Sequence, residues 1–308
     1  MKNASLLFIC CILFVTILPI CIKSHHLSLS QPQKKQEEMI RILDVSDNSI
    51  LKIPLEEYAW RVAAKEMPLS FHDEALKAQI VVARTYALRK RTTESHESKV
   101  DICTDHTHCT AFLSPDEDEN LSISDKKMLI NLAITTQNEI ITYNNQPILA
   151  VFHATSSGIT EKSSDIWQTQ LPYLTNVESS VDKSTKGYLT QKSFNESEIK
   201  KIFNTVTTPT FKNIVHTDAG GVKTIEIDDK IYTGTDVRNL LKLRSNNFTV
   251  SHQDEMYTFT VKGYGHGVGM SQTGANELAH KGLTYKDILL KYYPGTEINY
   301  LNSINMTK

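Results

Sequence analysis

In "LEEYAWRVAAKEMP" apolar positions recur at helical spacing. Leu55, Ala59 and Val62 share one face, and the next position on that face is Glu66. The pattern predicts a helix over residues 54–67. Pro54 suits its first turn, and Pro68 ends it, because the residue before a proline disfavours the helical region. A second helix follows almost at once. Ser70 and Asp73 stand in capping-box spacing, and Leu76, Ile80, Ala83 and Ala87 form an apolar stripe that runs to about Arg91. So short a connection makes the two helices a tight pair.

The rest of the chain mixes short strands with short helices. "IRILDV" and "SILKIPL" read as strands ahead of the first helix, and residues 94–118 read as an irregular loop. A helix is predicted near 125–136, then strands around a "YNNQ" hairpin turn. Residues 157–190 are rich in Ser, Thr and Asp and read as a long loop over a site. "NESEIKKIF" is a helix capped by Asn195, "DAGG" turns between two strands, "TGTDVRNLLKL" is a short capped helix, and "MYTFTVKG" alternates as a strand. There is no internal repeat and no linker to a second domain. The expected class is α+β, a single mixed helix and strand domain over residues 49–300.

Residues 6–22 are an uncharged apolar run, at the short end for a membrane span. Lys2 before it also suits a secretory signal, but "PICIKSHH" offers no small-x-small cleavage site. Residues 1–23 are therefore read as an N-terminal anchor or signal, and residues 24–48 as a polar tether. Either way the remaining chain works outside the cytoplasm. The 308-residue chain is 40% hydrophobic and 22% charged, enough for an ordinary core. Its formal net charge of −2 gives no basic surface for nucleic acid. Of its five cysteines, Cys10, Cys11 and Cys21 lie in the apolar run, leaving Cys103 and Cys109 for the exported part. Two are too few for a disulfide scaffold.

Four stretches carry candidate chemistry. Glu66 on a packed face is costly to ionise, and a carboxyl kept protonated near neutrality is what a general acid needs. It could equally pair with a base or turn to solvent. "FHATSSG", with His153, Thr155, Ser156 and Ser157, can offer donors and acceptors to a polyhydroxylated ligand, or be a capped turn. "GYGHGVGMSQTGA" superficially suggests dinucleotide binding, but its glycines at 263, 265, 267 and 269 have the wrong spacing, and too little chain follows for a βαβ unit. They suit a tight turn that brings backbone close to a ligand or to another loop, with His266 as a site residue or a structural one. In "SHESKVDICTDHTHCT", His96, Cys103, His106, His108 and Cys109 can close a tetrahedral zinc site, or the two cysteines can form a disulfide.

Together these stretches resemble the sporulation protein D family. "LEEYAWRVAAKEMPLSFHDEALKAQIVVARTYALRKR", "FHATSSGITEKSSDIW" with "LPYLTNVESSVD", and "GYGHGVGMSQTGANELAHKGLTYKDILLKYYPGTEI" match its three motifs in order, over roughly residues 50–298. The resemblance implies a membrane-anchored lytic transglycosylase. It would cut peptidoglycan glycan strands, already stripped of stem peptides, between N-acetylmuramic acid and N-acetylglucosamine during forespore engulfment. The family's catalytic acid falls on Glu66. Polar residues gathered beside glycine turns are typical of sites, so His153, Thr155, Ser156, His266 and Gln272 are expected to line the same cleft as Glu66 and, with Ser157, to contact the glycan. Some members hold one structural zinc, which carries over to His96, Cys103, His108 and Cys109, with His106 as a rival for the first ligand. A stage II sporulation protein P-like amidase/endopeptidase and a membrane partner are implied by family. The domain would then face the space between mother cell and forespore. The same family includes enhancers of cell-wall amidases, which bind glycan without cutting it. Ala154, Ser157 and Thr273 depart from the usual motif residues. No second carboxylate stands out in the motifs.

Overall fold

A computed structural model describes residues 37–93, 99–105 and 108–304. The apolar run, most of the polar stretch after it, His96 and His106 lie outside the described residues. Among the described residues no helix is long and apolar enough to cross a membrane. From Glu38 onward the chain forms one unit. Ile40 and Ile42 are buried in strand β1 (Met39–Leu43), which pairs antiparallel with β2 (Ile50–Pro54). The fold thus begins inside the stretch read as a tether, because the alternation of "MIRIL" already supplies one buried face.

The expected helical pair is present as α1 (Leu55–Glu66) and α2 (Asp73–Thr92). The cap of α2 differs from the Ser70–Asp73 reading: the His72 ring accepts from the Glu74 amide at 3.2 Å and takes the capping position. Burial on α2 is wider than the stripe of Leu76, Ile80, Ala83 and Ala87. From Ala75 to Leu88 only Lys77 escapes burial, because helices and a strand pack around it. Those packing elements are α1, α3 (Ile123–Thr135), β4 (Glu139–Tyr143), and two later helices, α7 (Gln272–His280) and α8 (Tyr285–Tyr292). A charge inside this core is matched. Arg84, fully buried, donates to Glu56 at 3.0 Å and to the Glu139 carbonyl at 2.8 Å. An unpaired charge there would cost several kcal/mol.

The remaining strands form small sheets. Asn144 and Asn145, both with positive φ, turn β4 into β5 (Gln146–Pro147), as "YNNQ" predicts. Two short parallel pairs recur: β1 with β3 (Ile102–Cys103), and β6 (Phe152–His153) with β13 (Met270–Ser271). The loop read over 157–190 contains a short helix, α4 (Ser163–Trp167), and a 3₁₀ turn at Ser180–Ser184.

Residues 189–262 build a second, smaller hydrophobic cluster that no linker announces. Strand β7 (Leu189–Asn195) pairs with β12 (Met256–Lys262), which pairs with β11 (Phe248–Gln253). Helix α5 (Glu196–Phe203), strands β8 (Phe211–His216), β9 (Val222–Ile227) and β10 (Lys230–Thr233), and helix α6 (Gly234–Leu241) complete it. Phe203, Phe211, Phe248 and Phe259 pack at its centre. The class is mixed α and β, as expected, with helices and several small sheets.

Candidate functional site

Glu66 is the last residue of α1 and is half-buried, where the helical pattern alone asks for a packed position. Its Oε1 accepts from the Ala111 amide at 2.8 Å. The segment carrying Ala111 lies along α1. Tyr58 hydrogen-bonds the Thr110 hydroxyl at 2.8 Å and stacks on Phe112 at 5.7 Å, and the Leu113 amide donates to the Arg61 carbonyl. A carboxyl aimed this way by a backbone amide can pass a proton to and from a bound ligand.

The Cys and His cluster ends with Cys109, two residues before Ala111. The Cys103 and Cys109 sulfurs are 3.5 Å apart, unbonded, and His108 Nδ1 is 3.5 Å from each. A tetrahedral ion with Zn–S about 2.3 Å and Zn–N about 2.0 Å has edges of similar length, so these three donors fit a metal. Burial pushes the Cys109 thiol up to about 12, so without a cation it stays neutral. The fourth ligand assigned by resemblance, His96, and its rival His106 lie outside the described residues.

The two remaining motifs lie against each other. Adding a Cβ to Gly269 would bring it 2.1 Å from the Val151 carbonyl, and to Gly265, 2.7 Å from His153 Cβ. Gly263 meets Thr155 and Ser156 backbone, and Gly267 meets Glu161, in the same way. All four have positive φ. Of the two uses open to these glycines, close approach to another loop is the one displayed. Asp182 locks the contact. It is fully buried, and its oxygens accept from the Ser156 hydroxyl at 2.6 Å, Ser179 at 2.8 Å, Ser271 at 2.9 Å and Thr273 at 2.5 Å.

The candidate ligand-contacting residues therefore divide. Ser156 is buried, its hydroxyl committed to Asp182 and to the Gly158 amide. Thr155 is buried and accepts from Thr273 at 3.2 Å. Ser157 is half-buried beside the Ala219 carbonyl. Gln272 is buried and donates to Gln79 of α2 at 3.4 Å. His153 Nδ1 contacts the Val268 carbonyl at 3.1 Å, while its Nε2 is buried without a partner among the described residues. The half-buried His266 ring lies 5.8 Å from His153 and 5.0 Å from the exposed ring of Trp167. Burial lowers His153 to about 4, and burial with His153 and Arg238 nearby lowers His266 to about 3. Both imidazoles are neutral at ordinary pH.

Two carboxylates escaped the sequence reading. Asp182 sits in a Ser-rich run that reads as a solvated loop. Glu161 is 2% exposed and wedged where neither Gly221 nor Gly267 leaves room for a Cβ. Its Oε1 accepts from Thr217 at 3.0 Å, and its Oε2 has no partner among the described residues. Burial raises Glu161 to about 7, with Asp165 and Asp218 adding to the rise. Tertiary contacts with Thr217, Gly221 and Gly267 surround it, so no local signal marks it.

Two outcomes follow for stability. The folded state keeps the Glu161 proton that the unfolded chain releases, so stability should fall as pH rises from about 4.5 to about 7, by roughly 3 kcal/mol in all. Glu161→Gln should flatten that slope in denaturant melts at pH 5 and pH 8. Asp182→Ala strands several buried hydroxyls and should lower stability by roughly 2–5 kcal/mol in the same melts.

Comparison with known proteins assigns the sequence to a family. The family model SpoIID, "Stage II sporulation protein", matches residues 45–143. Stage II sporulation protein D of Bacillus subtilis is 36% identical over 88% of this chain and 83% of its own length. That of Bacillus amyloliquefaciens is 35% identical over 89% and 83%. The amidase enhancer of Bacillus subtilis is 28% identical over 77% of this chain, but over 39% of its own length. With relatives this similar over nearly their full length, the chain belongs to the stage II sporulation protein D family of sporulation proteins.

Proposed function

We propose that this protein is a lytic transglycosylase that cleaves denuded peptidoglycan strands between N-acetylmuramic acid and N-acetylglucosamine during engulfment of the forespore. The observation that carries the reading is Glu66, in the family's acid position, half-buried and aimed by the Ala111 amide. Glu66 donates its proton to the glycosidic oxygen as that bond breaks, and positive charge develops on the muramic ring. The carboxylate then takes the proton of the same sugar's 6-hydroxyl, whose oxygen bonds to the anomeric carbon. The product is a 1,6-anhydro end, and Glu66 is protonated again.

One carboxylate suffices because the nucleophile belongs to the substrate. A hydrolase normally needs a second carboxylate, spaced for nucleophile or water. Asp182 is consumed by hydroxyls and Glu161 is walled in by glycines, which supports the single-acid route. His153, Thr155, Ser157, His266 and Gln272 would line the glycan path, with Ser156 holding the turn beneath it. Cys103, His108, Cys109 and His96 would hold one structural zinc. That metal would brace the segment leading to Ala111 and supply no chemistry to the reaction. Residues 1–23 would anchor the protein in the membrane with its domain outside the cytoplasm, beside an amidase/endopeptidase that strips the strands and a membrane partner. The relationship to an amidase enhancer favours a second reading, in which the domain binds glycan and activates a partner without cutting.

Assay of the purified wild-type domain on denuded strands separates the two, and Glu66→Gln then tests the acid. Cleavage of denuded strands should fall by roughly 10⁴-fold or more, since one group serves as both acid and base, while the thermal melt and glycan binding stay unchanged. Undiminished cleavage by the Gln variant would remove Glu66 from the mechanism. For the metal, protein purified under reducing conditions should hold one zinc per chain. Changing both Cys103 and Cys109 to Ser should lower the melting temperature, because a structural zinc contributes folding energy. A metal-free protein with a Cys103–Cys109 disulfide would contradict the zinc assignment.

A further inference from the structure

Among the described residues, Arg238 and Arg244 are cations without an anion. Both are half-buried, and among the described residues neither guanidinium has a carboxylate or hydrogen-bond partner. Arg244 stacks over the Tyr264 ring at 4.2 Å, and its Nε is buried and unsatisfied. Arg238 projects from α6 close enough to the His153 and His266 rings to disfavour their protonation. Burial depresses Arg238 itself, and the Tyr264 hydroxyl opposes this.

Nearby acids are already engaged. Asp182 is surrounded by hydroxyls, Asp165 pairs with Lys223, and Asp218 pairs with Lys162. Glu161 is sealed in its pocket. A desolvated arginine is costly unless something negative completes it, and its planar fork suits a carboxylate. The Tyr264 ring under Arg244 is exposed, and so is the Trp167 ring, which lies 5.0 Å from that of His266. Flat apolar faces beside polar groups fit a sugar ring. The ligand this neighbourhood calls for is a sugar bearing a carboxylate.

Peptidoglycan contains one such sugar, but only after processing. In an intact strand the lactyl carboxyl of N-acetylmuramic acid is tied up as an amide with the stem peptide. When an amidase adds water across that bond, the amine leaves with the peptide and a carboxylate stays on the sugar. We propose that Arg238 and Arg244 are the groups that bind this free lactyl carboxylate, and so set the preference for stripped strands proposed above. The inference rests on the glycan-cleaving or glycan-binding reading above. An amidated lactyl group would leave both guanidiniums buried without a charge and would push a peptide against them.

The test compares two forms of one substrate with the full-length chain. Denuded strands are used as they are, or with their carboxylates converted to methylamides by carbodiimide and methylamine. Titration calorimetry reads binding, and the Trp167 fluorescence change reports the same site. Wild type should bind the free carboxylate form roughly 10–100-fold more tightly, the range for charge-assisted hydrogen bonds. Arg238→Gln and Arg244→Gln should each shrink that ratio, and the double variant should bring it near one while still binding methylamide strands. If a Gln variant does not fold, Arg238→Lys or Arg244→Lys takes its place and should also shrink the ratio, because the planar fork is lost while the charge stays. Equal wild-type binding of both forms, or folded variants that keep the wild-type ratio, would overturn the arginine assignment and leave the glycan reading standing. Binding of neither form would overturn both. A preference that the folded variants lose, without any cleavage, would uphold the arginines and favour the enhancer reading.

Discussion

The buried carboxylate of Asp182 is the constraint on which the glycine-rich half of the site depends. A lone ionised carboxylate in a protein interior is prohibitively costly, so its donors must all be present at once. They come from separate stretches: Ser156 from the turn after β6, Ser179 from the run before the 3₁₀ turn, and Ser271 and Thr273 from the start of α7. Gly274 extends the same constraint, since a Cβ there would strike the Tyr292 hydroxyl at 2.1 Å and Ser179 Oγ at 2.7 Å. The hydroxyls and the missing side chains are two sides of one requirement. Segments that must converge on a point charge cannot also carry bulk.

The Glu66 side is built on a different principle. The α1–α2 pair is held by close burial of small residues around Ala75, Ala78, Ala83 and Ala87, with the Arg84–Glu56 pair inside. That rigid base carries Glu66 at a helix end, and the segment that aims it leads directly from Cys109. Any metal held by Cys103, His108 and Cys109 would therefore stiffen the segment that orients the carboxyl, without touching it. Scaffold and acid are separated by a few residues of backbone.

How much of this was legible in the sequence follows from the range of each interaction. Helical spacing around Leu55 and Val62, the "YNNQ" turn and the Asn195 cap are local, and the structure has them. The His72 cap was missed because Ser70 fits the same template, and the ring competes only once the turn is formed. The motifs also made Glu66, His153 and His266 visible as candidates. Glu161, Asp182, Arg238 and Arg244 were not visible, since nothing near them in sequence marks their burial. Glu161 is enclosed by Gly221 and Gly267, and Arg244 by Tyr264, each a long-range neighbour. The smaller core around Phe259 escaped for the same reason: its strands come from one continuous stretch without a linker, so only packing reveals it.

Mass spectrometry of the products from purified protein and denuded strands tests the central claim most directly. If Glu66 acts as acid and then base on the substrate's own hydroxyl, every new end should be a 1,6-anhydro sugar, lighter than a hydrolytic end by one water. Reducing ends instead would mean that water is the nucleophile and that a second carboxylate reaches the ring. Intact strands, from protein that still binds them, would mean that the domain does not cut glycan at all.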